Sequence, residues 1–146
     1  MGTAIVGAAA VLAGALLAGM VQYVMHLIGR RERRREAVAA AIAGVLATSR
    51  KHRGKQYLKH TARRDGLPDT PEAREVRYDA QSAMQDAMDL VVTDVPDAEL
   101  RRLARELVGA SLALGDCDPA DLDTVGDLAR DTADALRGAL AQHLYA

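Results

Sequence analysis

The chain is 146 residues long, and its net charge of −1 conceals an extreme split. Residues 1–64 carry 12 Lys/Arg against 2 Asp/Glu, whereas residues 65–146 carry 7 against 18. The single cysteine, Cys117, excludes an intramolecular disulfide and a Cys-based zinc site, and the absence of Phe and Trp leaves little material for a deep apolar ligand pocket.

No Asp, Glu, Lys or Arg falls between Ala4 and Ile28, and at helical rise these 25 residues reach about 37 Å, against about 30 Å of bilayer hydrocarbon. The run predicts an N-terminal transmembrane helix within residues 1–29. Arg30, Arg31, Arg33, Arg34 and Arg35 follow at once, and positive charge on that side marks a cytoplasmic end. A signal peptide would place its charge before the apolar core instead. The expected location is therefore the cell membrane, single-pass, with the N-terminus outside and the C-terminal domain cytoplasmic. Gly7, Ala10, Gly14 and Ala18 share one face of the span. Such small residues let helices pair closely, which makes this face a candidate homo-oligomer contact. His26, one turn from Arg30 and without an acidic partner, reads as an interfacial residue rather than a proton relay.

Residues 30–64 read as a basic amphipathic helix, with Val38, Ile42 and Val45 on one side and Leu46 beside them. Its outer half holds a second basic block: Arg50, Lys51, Arg53, Lys55, Lys59, Arg63 and Arg64, with His52 and His60 among them. On a straight helix Arg50 lies about 30 Å beyond Arg30, several Debye lengths from any headgroup. This block needs another acidic surface, and the acidic helices downstream are the nearest candidate. A nucleic acid is the less favoured partner, because no helix-turn-helix, zinc-finger or RNA-binding motif accompanies the charge.

Asp65-Gly66-Leu67-Pro68-Asp69 breaks the chain. Thr70-Pro71-Glu72 then supplies an N-cap, a proline at the first helical position and an early acid. The helix behind it should bury Val76, Ala80, Ala83, Met84, Ala87 and Val91. After Val95-Pro96-Asp97 a third helix carries Leu100, Leu103, Leu107, Val108 and Leu114. A fourth opens at Asp118-Pro119 and carries Leu122, Val125, Ala129, Ala133, Leu136 and Leu140. No stretch alternates with period two. The fold class is all-α: a transmembrane helix continuing into a long basic helix, then a small antiparallel bundle over residues 65–146 that packs on residues 36–64.

Nothing here assembles a reaction. Asp116, Asp118, Asp121, Asp123 and Asp127 crowd one loop, yet a calcium-binding EF-hand needs Gly and Glu where Asp121 and Asp127 stand. The four histidines are scattered, and no Ser/His/Asp set, phosphate-binding loop or dinucleotide fingerprint is present. Cys117 sits in Gly-Asp-Cys-Asp-Pro, where negative charge disfavours a thiolate. No catalytic residue, cofactor or metal is expected.

The order of an AAVLAGALLAGMVQYV span, the basic run RRERRREAVAAAIAGVLA and a Pro-flanked pair of Ala-rich helices resembles uncharacterised single-pass membrane proteins of high-GC actinobacteria. The resemblance covers the whole chain and rests on layout and composition. It implies a membrane span joined to a helical bundle, and no activity. The expected function is a non-enzymatic, membrane-tethered helical interaction module that docks another protein or a second copy. The alternative is a membrane-tethered nucleic-acid-binding protein using the basic 50–64 segment.

Overall fold

The computed structural model describes residues 2–145, with side chains from Met20 onward. Its four helices are α1 Gly2–Arg64, α2 Pro71–Asp94, α3 Ala98–Asp116 and α4 Leu122–Tyr145. The chain divides into two compact units, Met1–Glu36 and Ala37–Ala146.

In the first unit the apolar side chains Met20, Val21, Tyr23, Val24, Met25, Leu27 and Ile28 stand exposed. Arg30, Arg31, Arg33, Arg34 and Arg35 follow them, also exposed. Among the described residues no helix is long and apolar enough to cross a membrane. This corrects the expected transmembrane helix, and with it the single-pass location with an outer N-terminus and a cytoplasmic C-terminal domain. The side chains described ahead of the arginines, Met20 to Ile28, cover about 14 Å of helix, against about 30 Å of hydrocarbon. The small-residue face of Gly7, Ala10, Gly14 and Ala18 lies outside the residues whose side chains are described.

In the second unit the helix ends are set by local chemistry. Gly66 has φ +72°, its N–H donates to the Arg63 carbonyl at 3.2 Å, and the Leu67 N–H reaches the Ala62 carbonyl at 2.8 Å. This is a Schellman end, whose left-handed residue adopts its φ freely only without a Cβ. The Thr70 hydroxyl accepts from the Ala73 N–H at 3.2 Å just ahead of Pro71, and so starts α2. Asp97 starts α3: its Oδ1 accepts from the N–H groups of Glu99 and Leu100 at 2.9 and 3.0 Å. The other oxygen of Asp97 accepts from His143 Nδ1 of α4 at 3.2 Å. The start of α4 departs from the expected one. Asp118-Pro119 opens a turn closed by the Asp121 N–H on the Asp118 carbonyl at 3.0 Å, and the helix begins only at Leu122. The fixed φ of proline suits the second position of a turn as well as the first of a helix.

The core gathers Val38, Ile42 and Val45 of α1, Val91 of α2, Leu100, Leu103 and Leu107 of α3 and Leu136 of α4, with Val95 from the α2–α3 connection. Alanines fill the close approaches: Ala41, Ala87, Ala104 and Ala133 belong to the same cluster. At Gly44 an added Cβ would stand 3.9 Å from the Ala87 Cβ, so α1 and α2 run side by side at this level. Of the side chains expected to be buried, Ala83, Val108, Leu122, Val125 and Leu140 are half-buried, and Val76 is 43% exposed.

Candidate interaction groove

Beyond Val45 the buried face of α1 changes chemistry. The three- and four-residue spacing that buries Val38, Ile42 and Val45 continues through Ser49, His52, Gln56 and His60, all buried. Here polar bonds hold the helix against the end of α3. Lys59 Nζ donates to the Gly115 carbonyl and His60 Nε2 to the Leu114 carbonyl, each at 2.8 Å. The last carbonyls of a helix lack intrahelical partners and carry the negative end of its dipole, so an ammonium and an imidazole N–H suit them. Gln56 Nε2 donates to His52 Nε2 at 3.3 Å. Gly115 allows that amide to approach, because a Cβ there would stand 3.4 Å from it. Burial pushes the His52 imidazole below its ordinary pKa, and the Ser111 backbone opposes the shift. Ser49 Oγ, Gln56 Oε1 and Ser111 Oγ are buried without a hydrogen-bond partner among the described residues. This polar seam is therefore held less completely than the apolar core beside it.

Next to the seam, α1 and the start of α2 enclose a groove of about 690 Å³, inside the size range of ligand and peptide clefts. Its floor is apolar: Leu58 and Ala62 from α1, Leu67 and Pro68 from the connection, Ala73 and Val76 from α2. Leu58 and Leu67 are 62% and 61% exposed, so this floor faces outward rather than into the core. One wall is a row of cations, Lys55, Lys59 and Arg63, one helical turn apart. On the other side Asp69 is already engaged, since Arg77 Nη2 donates to both its oxygens at 2.7 Å. Glu72 remains, held below the usual carboxylate range by its own backbone N–H and the Thr70 hydroxyl. A second, polar pocket of about 430 Å³ adjoins the groove, sharing Lys59, Asp69 and Arg77 and reaching His52 and Gln56.

The basic block is thus sorted by the helix. Lys55, Lys59 and Arg63 come together along the groove, while Arg50 and Lys51 are exposed outside its lining. Arg53 is half-buried; burial holds its guanidinium below the ordinary value, and Arg130, Arg137 and Arg50 add to the effect, with Tyr57 opposing. Arg64 pairs with its neighbour Asp65 at 3.0 Å. Among the described residues no ion pair joins residues 50–63 to the acids of α2, α3 or α4. Those acids pair within their own helices, as Glu99 and Glu106 do with Arg102, Asp127 with Arg130 and Asp134 with Arg137, while Asp97 meets His143. What fixes α1 is apolar burial and bonds to carbonyls, not charge pairing. In the sequence His52 and His60 stand within the basic block, and nothing apolar joins them to Ser49 and Gln56 as a seam. Its signal is present there, because the spacing of the apolar face runs on unbroken into it.

Among the described residues no group of three or more His, Cys, Asp or Glu could hold a metal ion, the Asp116–Asp127 acids included. Cys117 is half-buried, and its thiol reaches the Leu114 carbonyl at 3.6 Å.

No curated protein and no solved structure matches the chain. A family described as KilB plasmid transfer protein matches residues 37–144, nearly the whole of the second compact unit. The match accounts for the helical-bundle part of the resemblance; it leaves out residues 1–36 and says nothing of a span or of a source organism. The helical unit that carries this groove is matched along nearly its whole length, over well more than half of the sequence: the chain belongs to the KilB plasmid transfer protein family.

Proposed function

We propose that this chain is a non-enzymatic helical interaction module of plasmid transfer. Its groove between α1 and α2 receives an apolar-faced acidic helix of a partner protein. The observation that carries the reading is the row Lys55, Lys59 and Arg63 beside the outward-facing Leu58, Leu67 and Val76. Amphipathic helices laid in grooves are recognised in this way, with apolar anchors for affinity and rim charges for orientation and rate of encounter. Exposed apolar side chains gathered in one cleft, rather than scattered, mark such surfaces. The test is Lys55→Glu with Arg63→Glu in a plasmid-bearing donor, with helical content checked by circular dichroism. Transfer frequency should fall at least tenfold while the fold persists, and unchanged transfer by a folded variant refutes the reading.

A second reading draws on Arg50 and Lys51, which are exposed and make no ion pair among the described residues. With Arg63 they offer cations to a nucleic-acid backbone. Phosphate neutralisation gives binding that weakens steeply with salt. A salt titration of duplex binding by the full chain decides this reading, and absence of binding at low salt removes it.

A further inference from the structure

We infer that the occupant of the groove is a second copy of this chain, presenting the C-terminal half of α2. The inference rests on the groove reading above and adds the identity of the partner.

Residues 50–64 hold seven Lys/Arg and no Asp/Glu, while residues 78–100 hold six Asp/Glu and no Lys/Arg. Neither set is neutralised within its own copy where it matters. Among the described residues no ion pair includes Lys55 or Arg63 on one side, or Asp86, Asp89 or Asp94 on the other. The acidic stretch also turns apolar side chains outward. Leu90 is 56% and Val92 49% exposed, one on each side of the stripe along which α2 buries Met84, Ala87 and Val91. Asp86, Leu90 and Thr93 share one face by their spacing, with Asp89 beside them. An apolar knob among carboxylates is the complement of an apolar floor beside cations.

The two surfaces cannot meet in one copy. Gly44 faces Ala87, so Leu90 lies near the start of the unit along α1. Leu58 stands about 21 Å further along that helix than Gly44. The groove and the acidic face therefore occupy opposite ends of the α1–α2 pair. Because the surfaces differ, the contact is heterologous: each copy uses its groove with one neighbour and its acidic face with another, and the assembly extends unless it closes into a ring.

Cys117 is the only cysteine, so the full chain carrying Cys117→Ser gives a clean background for crosslinking. A disulfide needs Cα atoms within about 7 Å, which residues 58 and 90 of one copy cannot satisfy. Both leucines are exposed, and cysteine at either leaves the core intact. Mild oxidation of a chain with Leu58→Cys and Leu90→Cys should give a ladder of covalent multimers. A mixture of the two single variants should give a dimer band at least tenfold stronger than either alone, and adding Lys55→Glu and Arg63→Glu to the Leu58→Cys chain should abolish it. A mixture no stronger than the single variants, or a band that survives the charge reversal, overturns the inference. If the band is missing but the charge-reversed donor still fails to transfer its plasmid, the groove reading stands with a different partner. If transfer is also unaffected, both fall.

Discussion

The Tyr57 hydroxyl of α1 fills the space directly beside Gly126 of α4: a Cβ at position 126 would collide with Tyr57 Oη, and Gly126 is buried. Gly126 is thus a contact glycine in the middle of a buried helix face. Gly126→Ala should destabilise the unit by about 1–2 kcal/mol, since overpacking costs about 1–3 and the helix propensity of alanine returns up to about 1. In a Tyr57→Phe background, which removes the colliding oxygen, most of that loss should vanish. Urea unfolding of the two single variants and the double variant reads the coupling. Equal losses in both backgrounds would assign the cost elsewhere.

His52 sets the acid limit of the polar seam. Its pKa is lowered in the folded protein by burial, while the unfolded chain titrates near 6.5. Above that value His52 is neutral in both states and contributes nothing to the pH dependence. As pH falls below it, the unfolded state takes up the proton first, so stability drops. His52→Leu should flatten the stability profile below about pH 6.5 relative to the wild type. Denaturation midpoints measured at half-unit intervals test this; parallel profiles would show that His52 is not the group responsible.

Asp97 ties two helices with one carboxylate. The Leu100 N–H holds its pKa below the ordinary value, burial opposing, with Glu99 and His143 adding to the lowering. Its contribution is therefore present above the usual carboxylate range and lost as pH falls through the depressed value. Asp97→Ala should cost about 1 kcal/mol through the lost cap, and Asp97→Asn should recover most of it because the amide oxygen still accepts. Thermal unfolding at neutral pH separates the two. Equal losses for Ala and Asn would point to the His143 bond instead of the cap.

Two glycines should respond with opposite signs to the same change. Gly66→Ala forces a Cβ into the left-handed region at φ +72° and should destabilise by about 1 kcal/mol. Gly109→Ala lies mid-helix in α3 with nothing within 4 Å of the new methyl, and should stabilise by up to about 1 kcal/mol. Both are read by chemical denaturation. A stabilising Gly66→Ala would contradict the Schellman end.

The sequence makes legible what rests on local chemistry or on apolar periodicity. Thr70-Pro71, Asp97 and Gly66 mark their helix ends through caps that need no tertiary context, and Leu100, Leu103, Leu107 and Leu114 announce the face of α3. The start of α4 is ambiguous because Pro119 satisfies a turn and a first helical turn alike. Val76 follows the buried period of α2 yet faces the groove, since periodicity defines a face and not where neighbouring helices cover it. His52 and His60 read as part of the basic block, and Ser49 and Gln56 are polar, so nothing apolar in the sequence marks the four as a buried continuation of the α1 face. Within the basic block, four-residue spacing links Lys51, Lys55, Lys59 and Arg63 alike, so which of them line the groove, and the exposed leucines beside them, need the fold to be seen. No residue pattern names plasmid transfer; the family match does.

The bonds from Lys59 and His60 to the last carbonyls of α3 run to backbone, not to side chains. The alignment of α1 on α3 is therefore indifferent to which side chains α3 shows to solvent. Substitutions can accumulate along that surface without sliding α1, and the groove walls keep their positions while the outside of α3 is free to drift toward other partners.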